Sequence, residues 1–258
     1  MGYELPGRTL GVIGLGAVGV EVANAAHLLG MRVMGFDPQI TVQRAWQLSS
    51  GVEQALSLDD LFSRCDMVTV HVPLLEATRG LVNASRLRLL KSSGVILNFS
   101  RGAIVDERAV LEALDAGKLH AYICDFPTNA LNNHPKVVAL PHLGASTTEA
   151  EENCAAMVVD TLRDFLENGN IRHSVNFPEA VLPRTAGATR LAIANENVPN
   201  MVGQISTALA AANLNIADLL NKSRGELAYT LIDVDGSIPG AIPQQLRKIE
   251  GVLTARVL

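Results

Sequence analysis

Gly14, Gly16 and Gly19 stand in the spacing GxGxxG, directly after the apolar run TLGVI and directly before the helical pattern AVGVEVANAAHLLG. Each glycine has a mechanical use at a phosphate site. Gly14 permits a tight turn, Gly16 lets backbone approach a pyrophosphate with no side chain between, and Gly19 lets the helix lie close on the strand. The helix N-terminus then offers its N–H groups and positive dipole end to the phosphates. Asp37 closes the next apolar run, RVMGF, about 20 residues on. A carboxylate there accepts bonds from both ribose hydroxyls and repels a 2′-phosphate, so the two features together predict a site for NAD rather than NADP.

Three further residues sit where strands run out. Arg101 follows VILNFS and precedes Gly102, at the carboxyl end of a strand, where ligands of open α/β sheets bind. Its planar fork suits a substrate carboxylate, and it would equally serve as a surface cap of the strand end. Asp125 ends YIC and can bind a nicotinamide amide or cap a turn. His142 ends VVALP and can exchange a proton near neutral pH or pack with its ring bonded to backbone. His71, inside VTVHVP and ahead of Pro73, is read as structural.

Residues 9–142 position these groups by alternating short β-branched runs with helical stretches: TLGVIGL, RVMGFD, MVTVHVP, VILNFS, AYICDF and VVALPH, separated by patterns such as SLDDLFSRC and DERAVLEALDAG. That rhythm predicts α/β architecture, a doubly wound parallel sheet over 1–145, with Ser57 and Asp106 as helix caps. STTEAEENCAAMVVDTLRDFLENG reads as one amphipathic helix stopped by Gly169, and IRHSVNFPEAVLPRTAGA as a linker, together 146–186. From 187 to 258 the order is βαββαβ, that of a smaller ferredoxin-like sandwich. With 48% hydrophobic and 18% charged residues the chain has the balance of a folded protein. Its net charge of −5 comes without a block of like charge, which points to small-molecule partners and away from nucleic acid. Cys65, Cys124 and Cys154 form no CxxC pair, so no metal site or disulfide framework is expected, and a reducing cytoplasm fits. Neither a secretion signal nor a membrane span is read.

Taken in order, GLGAVG with Asp37, HVPLLEATRGLVN, NFSRGAIVDE, the strand-end Asp125 and PHLGAST resemble the D-isomer-specific 2-hydroxyacid dehydrogenase family. IANENVPNMVGQISTALAAANLNI resembles the ACT domain that phosphoglycerate dehydrogenases of this family carry to sense serine. The resemblance implies that Arg101 binds and polarises the substrate's carboxylate and reacting oxygen. His142 would take the hydroxyl proton as the C2 hydride passes to the nicotinamide of NAD. It assigns Asp37 to the adenosine ribose, Ala17 and Val18 to the pyrophosphate, Phe99, Ser100, Arg101 and Gly144 to the cofactor region, and Asp125 to the carboxamide. Asn195, Asn197 and Asn215 match positions that hold an effector amino acid. The implied activity is oxidation of 3-phospho-D-glycerate, the entry to serine synthesis, by a homo-oligomer, dimer or tetramer. Pairing is expected through the C-terminal module, where IANEN and IADLLNK would leave free strand edges. The alternative is a non-catalytic chain that binds NAD and senses an amino acid.

Three departures from the family pattern stand out. Relatives place a Glu a few residues after the strand-end Asp to orient the catalytic His. Here Phe126-Pro127-Thr128-Asn129-Ala130 follows, and no acid appears until Glu149, so either another group orients His142 or the ring lacks its usual support. Relatives also carry most of a substrate lobe ahead of GYELPGRTLG, so the helix from Ser146 is expected to be only the returning part of that lobe. Finally, the turn Asn197-Val198-Pro199-Asn200 has Pro-Asn where relatives have Pro-Gly.

Overall fold

A strand that is apolar on both faces needs cover on both, and Thr9–Ile13 (β1) is buried at every residue. The computed structural model describes residues 4–258, and the chain divides into two units, Met1–Gly144 and Ala145–Leu258. In the first, β1 is followed by α1 (Ala17–Leu28), β2 (Arg32–Phe36), α2 (Val42–Gln47), β3 (Val52–Gln54), α3 (Leu58–Arg64) and β4 (Met67–Val70). Then come α4 (Ala84–Leu87), β5 (Val95–Asn98), α5 (Glu107–Asp115), β6 (Ala121–Cys124), α6 (Asn129–Asn132) and β7 (Val137–Ala139). The seven strands are parallel, in the order β3-β2-β1-β4-β5-β6-β7. One apolar cluster gathers around Leu61, Phe62, Ile96 and Leu114, and another around Val12, Val20, Ala23 and Val33. Strand order reverses between β1 and β4, which opens a crevice at the carboxyl ends.

The helix starts follow their capping residues. Ser57 and Asp106 accept from the backbone N–H of Asp60 and Ala109, satisfying donors that the first turn of a helix leaves without partners. Six of the strands coincide with the apolar runs of the sequence. The seventh, β3, has three residues, two of them exposed, at the sheet edge, and offers no such run.

The second unit opens with α7 (Thr148–Asn168), capped by Thr147 and closed by Gly169 in the left-handed conformation. β8 (Ala188–Glu196), α8 (Met201–Ala211), β9 (Ile216–Arg224), β10 (Leu227–Asp235), α9 (Ile242–Leu246) and β11 (Val252–Val257) complete the βαββαβ order. The sheet is antiparallel, β11-β8-β10-β9. IANEN therefore offers no free edge. It belongs to β8, which is paired on both sides, and the edges are β9 and β11. A crossover places the first strand of a βαββαβ unit inside its sheet, which a strand-by-strand reading does not reveal. Nor is 171–187 a loose connection. Ile171 and Ala180 exchange backbone hydrogen bonds, and Ile171, Ala180 and Leu182 are buried against Tyr229 and Leu231. Among the described residues no helix is long and apolar enough to cross a membrane.

One polar group organises this packing. The Arg190 guanidinium is fully buried and pairs with buried Asp233 through Nε (2.6 Å) and Nη2 (2.8 Å). Its remaining donors reach the carbonyls of Asn168 (3.0 Å), Leu182 (2.7 Å) and Pro183 (2.8 Å). Burial alone would raise the Asp233 carboxyl, but the bonds from Arg190 and the Thr185 N–H outweigh it and hold it below the ordinary carboxylate range. The pair's contribution is thus complete above the unfolded-state value of about 4 and is lost as pH falls through the lower folded value. Asp233→Asn leaves Arg190 buried without its counter-charge and is expected to cost about 3–5 kcal/mol in urea unfolding. The variant should also lack part of the wild-type protein's loss of stability in acid. A change under about 1 kcal/mol would mean that the pair contributes no more than a surface ion pair.

Candidate functional site

The chain leaves β1 through Gly14, whose φ of +87° suits a residue without Cβ. A Cβ on Gly14 would lie 2.6 Å from the His71 carbonyl oxygen, and one on Gly19 would lie 1.8 Å from the Gly14 carbonyl oxygen. Neither place can hold a side chain without moving backbone. Gly16, the N-cap of α1, differs: its φ is −73°, and a Cβ there would meet nothing within 4 Å. No side chain caps α1, so the N–H groups of its first turn, where Ala17 and Val18 sit, are left for an anion. Asp37, just past β2, accepts from Leu15 N through Oδ2 (2.8 Å) and from Gln39 N through Oδ1 (2.9 Å). The acid is thereby tied to the glycine loop, and lone pairs remain on both oxygens. An apolar hollow of about 420 Å3 adjoins it, lined by Phe36, Ile40, Leu48 and Val52 among others.

The other half of the site is built by strand adjacency. β5, β6 and β7 are neighbours, with Asn98 opposite Cys124 and Cys124 opposite Ala139. Arg101, Asp125 with Phe126, and His142 each follow one of these strands, so they emerge side by side at the carboxyl edge. His142 Nδ1 lies 2.6 Å from Asp125 Oδ2. The acid side chain is 7% exposed and the ring 43%. Phe126 stands between the two basic groups, its centroid 4.3 Å from that of His142 and 5.4 Å from the Arg101 guanidinium carbon. The loop carrying Arg101 is held from below. Buried Asn98 donates to the Arg101 carbonyl (3.0 Å) and accepts from Ser100 N (3.1 Å), while Ser100 Oγ donates to the Val70 carbonyl (2.6 Å).

A cleft of about 490 Å3 joins the halves, lined by Val18, residues 71–74 and Phe99, Ser100 and Arg101. His71 borders it, hydrogen-bonded to Thr69 Oγ1 at 2.9 Å, and burial pushes its ring below the usual histidine value. Gly144 lies exposed beyond His142. A larger hollow, about 570 Å3, lies along α7 between Met157, Leu162, Phe165 and Phe177, and contains none of the candidate catalytic, cofactor or effector residues. Phe126 and the Asp125–His142 bond escape sequence reading, because they depend on the register between β6 and β7. The Asn residues of the second unit do not converge within one chain. Asn195 is buried in β8, and Asn197 donates to the Gly225 carbonyl at the β9–β10 turn. Asn215 donates to Asp235 at the opposite end of β10, roughly 30 Å from Asn197 at 3.3 Å per strand residue.

A seven-stranded parallel sheet with a glycine loop, a strand-end acid and an arginine–histidine edge defines a dinucleotide-dependent dehydrogenase domain. Residues 1–144 match the family "D-isomer specific 2-hydroxyacid dehydrogenase, NAD binding domain", and the chain belongs to that family, with NAD as its cofactor. Along nearly its whole length it is similar to D-3-phosphoglycerate dehydrogenase of Haemophilus influenzae, 34% identical over 267 residues that cover 99% of this chain and 64% of the relative. The enzyme of the same name from Escherichia coli K12 is 32% identical over 269 residues, with the same coverage. The NAD+-bound 3-phosphoglycerate dehydrogenase structure from Entamoeba histolytica matches with a TM-score of 0.59 and 30% identity, covering 68% of this chain and 57% of that one. The chain thus spans just under two thirds of the length of the curated relatives it matches.

The two glycine environments separate folding from ligand binding. Gly16→Ala should unfold at the wild-type temperature yet lose NADH affinity at least about 10-fold, since a Cβ would occupy the phosphate's approach. Gly19→Ala should lose both stability and binding, by about 1–3 kcal/mol in unfolding, because α1 must move off Gly14. Equal stability losses in the two variants would contradict the assignment.

Proposed function

We propose that this chain provides the cofactor site and the acid–base edge of an NAD-dependent oxidation of 3-phospho-D-glycerate to 3-phosphohydroxypyruvate. The observation that carries this reading is the convergence of Arg101, Asp125 and His142 at one sheet edge beside the glycine loop. The phosphoglycerate dehydrogenases similar along the whole chain supply the substrate. Asp37 would hold the adenosine ribose, Ala17 and Val18 the pyrophosphate, and the Phe99–Arg101 loop the nicotinamide end. The buried Asp125 Oδ1 has no hydrogen-bond partner among the described residues, which fits an acceptor kept for the carboxamide N–H. When bound, NAD supplies the hydride acceptor. Arg101 offers paired donors to the substrate carboxylate and, through its charge, favours negative charge building on the reacting oxygen. His142 takes the hydroxyl proton, its Nδ1 being already engaged, through Nε2.

The C-terminal βαββαβ unit is read as an ACT-type sensing module, with serine as effector. Asn200 takes the left-handed conformation at φ +63°, which Asn tolerates better than most residues, so Pro199-Asn200 can turn as Pro-Gly does. Because Asn197 and Asn215 lie at opposite ends of the sheet, one amino acid can touch both only across two copies running antiparallel. A homo-oligomer paired through an edge such as β9 provides that arrangement. Cys65 and Cys124 are buried as free thiols, which fits the reducing cytoplasm expected from the sequence.

In the full-length protein, Arg101→Ala or His142→Ala should lower turnover of 3-phosphoglycerate by at least about 100-fold with little change in NADH affinity. Asp37→Ala should instead narrow the preference for NADH over NADPH in fluorescence titration. Turnover that survives loss of His142 would remove it as the base.

A further inference from the structure

The geometry points to Asp125 as the positioning residue of the site, holding His142 through Nδ1 so that Nε2 is the nitrogen that exchanges the proton. The inference rests on the reading of His142 as general base and names the group that supports it.

A carboxylate accepts hydrogen bonds and cannot donate them, so the ring nitrogen 2.6 Å from Asp125 Oδ2 must carry a proton. In the neutral imidazole that leaves Nε2 with its lone pair, the form a general base requires. Burial makes the direction of control clear: the acid side chain is 7% exposed, the ring 43%. Asp125 directly follows β6 and is buried there, and the more exposed ring reaches outward from it. Phe126 packs against the imidazole as well, its ring tilted 40° with the centroids 4.3 Å apart. An Asp that merely capped a turn would spend its oxygens on backbone N–H groups. Asp125 gives one oxygen to the ring, and the other, although buried, meets no partner among the described residues. The two oxygens therefore do separate work, and holding the ring leaves Oδ1 available to a ligand amide. The sequence lacks the Glu that relatives place a few residues later, and an acid from the strand end itself occupies that office here.

The test is a two-bond 1H–15N correlation of the histidine side chains in the 15N-labelled chain. In the wild-type protein the neutral His142 ring should carry its proton on Nδ1. Asp125→Asn keeps the shape but presents an amide that can donate to Nδ1, and should move the proton to Nε2. In the full-length protein the same substitution should lower kcat by roughly 100-fold or more while KM for 3-phosphoglycerate, held by Arg101, stays close to the wild-type value. Asp125→Glu, which retains an acceptor, should recover part of kcat. A wild-type ring protonated on Nε2, or a tautomer unmoved by Asp125→Asn, would overturn the assignment, and the wild-type spectrum decides even if the variant does not fold. A tautomer that shifts as expected in a protein without 3-phosphoglycerate turnover would support the Asp125 assignment and overturn the substrate reading.

Discussion

The Gly14 carbonyl oxygen occupies the place where any other residue at position 19 would carry its Cβ. This contact sets how closely α1 lies on β1, and with it where the helix N-terminus points. Asp37 secures the same turn from the neighbouring strand through the Leu15 N–H. Pulling β1 and α1 apart would therefore displace the phosphate cradle and the ribose acid together. Shape at this end of the crevice comes from backbone, which is why a missing side chain is its essential component.

The opposite end of the crevice is shaped by side chains, and the sheet supplies their spacing. Adjacent parallel strands lie about 4.8 Å apart, so residues just past the ends of β5, β6 and β7 fall within contact of one another. Phe126 occupies the middle lane between a guanidinium and an imidazole. That ring keeps the guanidinium and the imidazole apart, while Asp125, following the same middle strand, sets its carboxylate against the imidazole. The first unit thus divides its labour: rigid backbone where phosphate charge must be cradled, and stacked side chains where a proton must be moved.

Much of this could be read from the sequence, for physical reasons that differ by residue. The glycine spacing, Asp37, the caps Ser57 and Asp106 and the stop at Gly169 are local signals, since each acts within a few residues of itself. β3 carries no such signal because three residues at a sheet edge, two of them exposed, need no apolar pattern. The bond between Asp125 and His142 escaped because it joins residues 17 apart through strand register, which periodicity does not encode. IANEN reads as an edge strand for a related reason: pairing partners depend on the crossover, not on the strand. The Asn residues of the second unit resemble one site when read along the chain, and lie at two ends of a sheet when folded.

Arg190 has a consequence for how the chain can be divided. Its donors reach carbonyls at residues 168, 182 and 183, all ahead of the strand that carries it. A fragment begun at residue 187 would keep the complete βαββαβ pattern and still be chemically unfinished, with a guanidinium interred beside absent acceptors. The smallest self-sufficient C-terminal piece must begin upstream of Asn168. The boundary of this module is therefore set by hydrogen-bond closure, several turns of chain earlier than the boundary its secondary structure suggests.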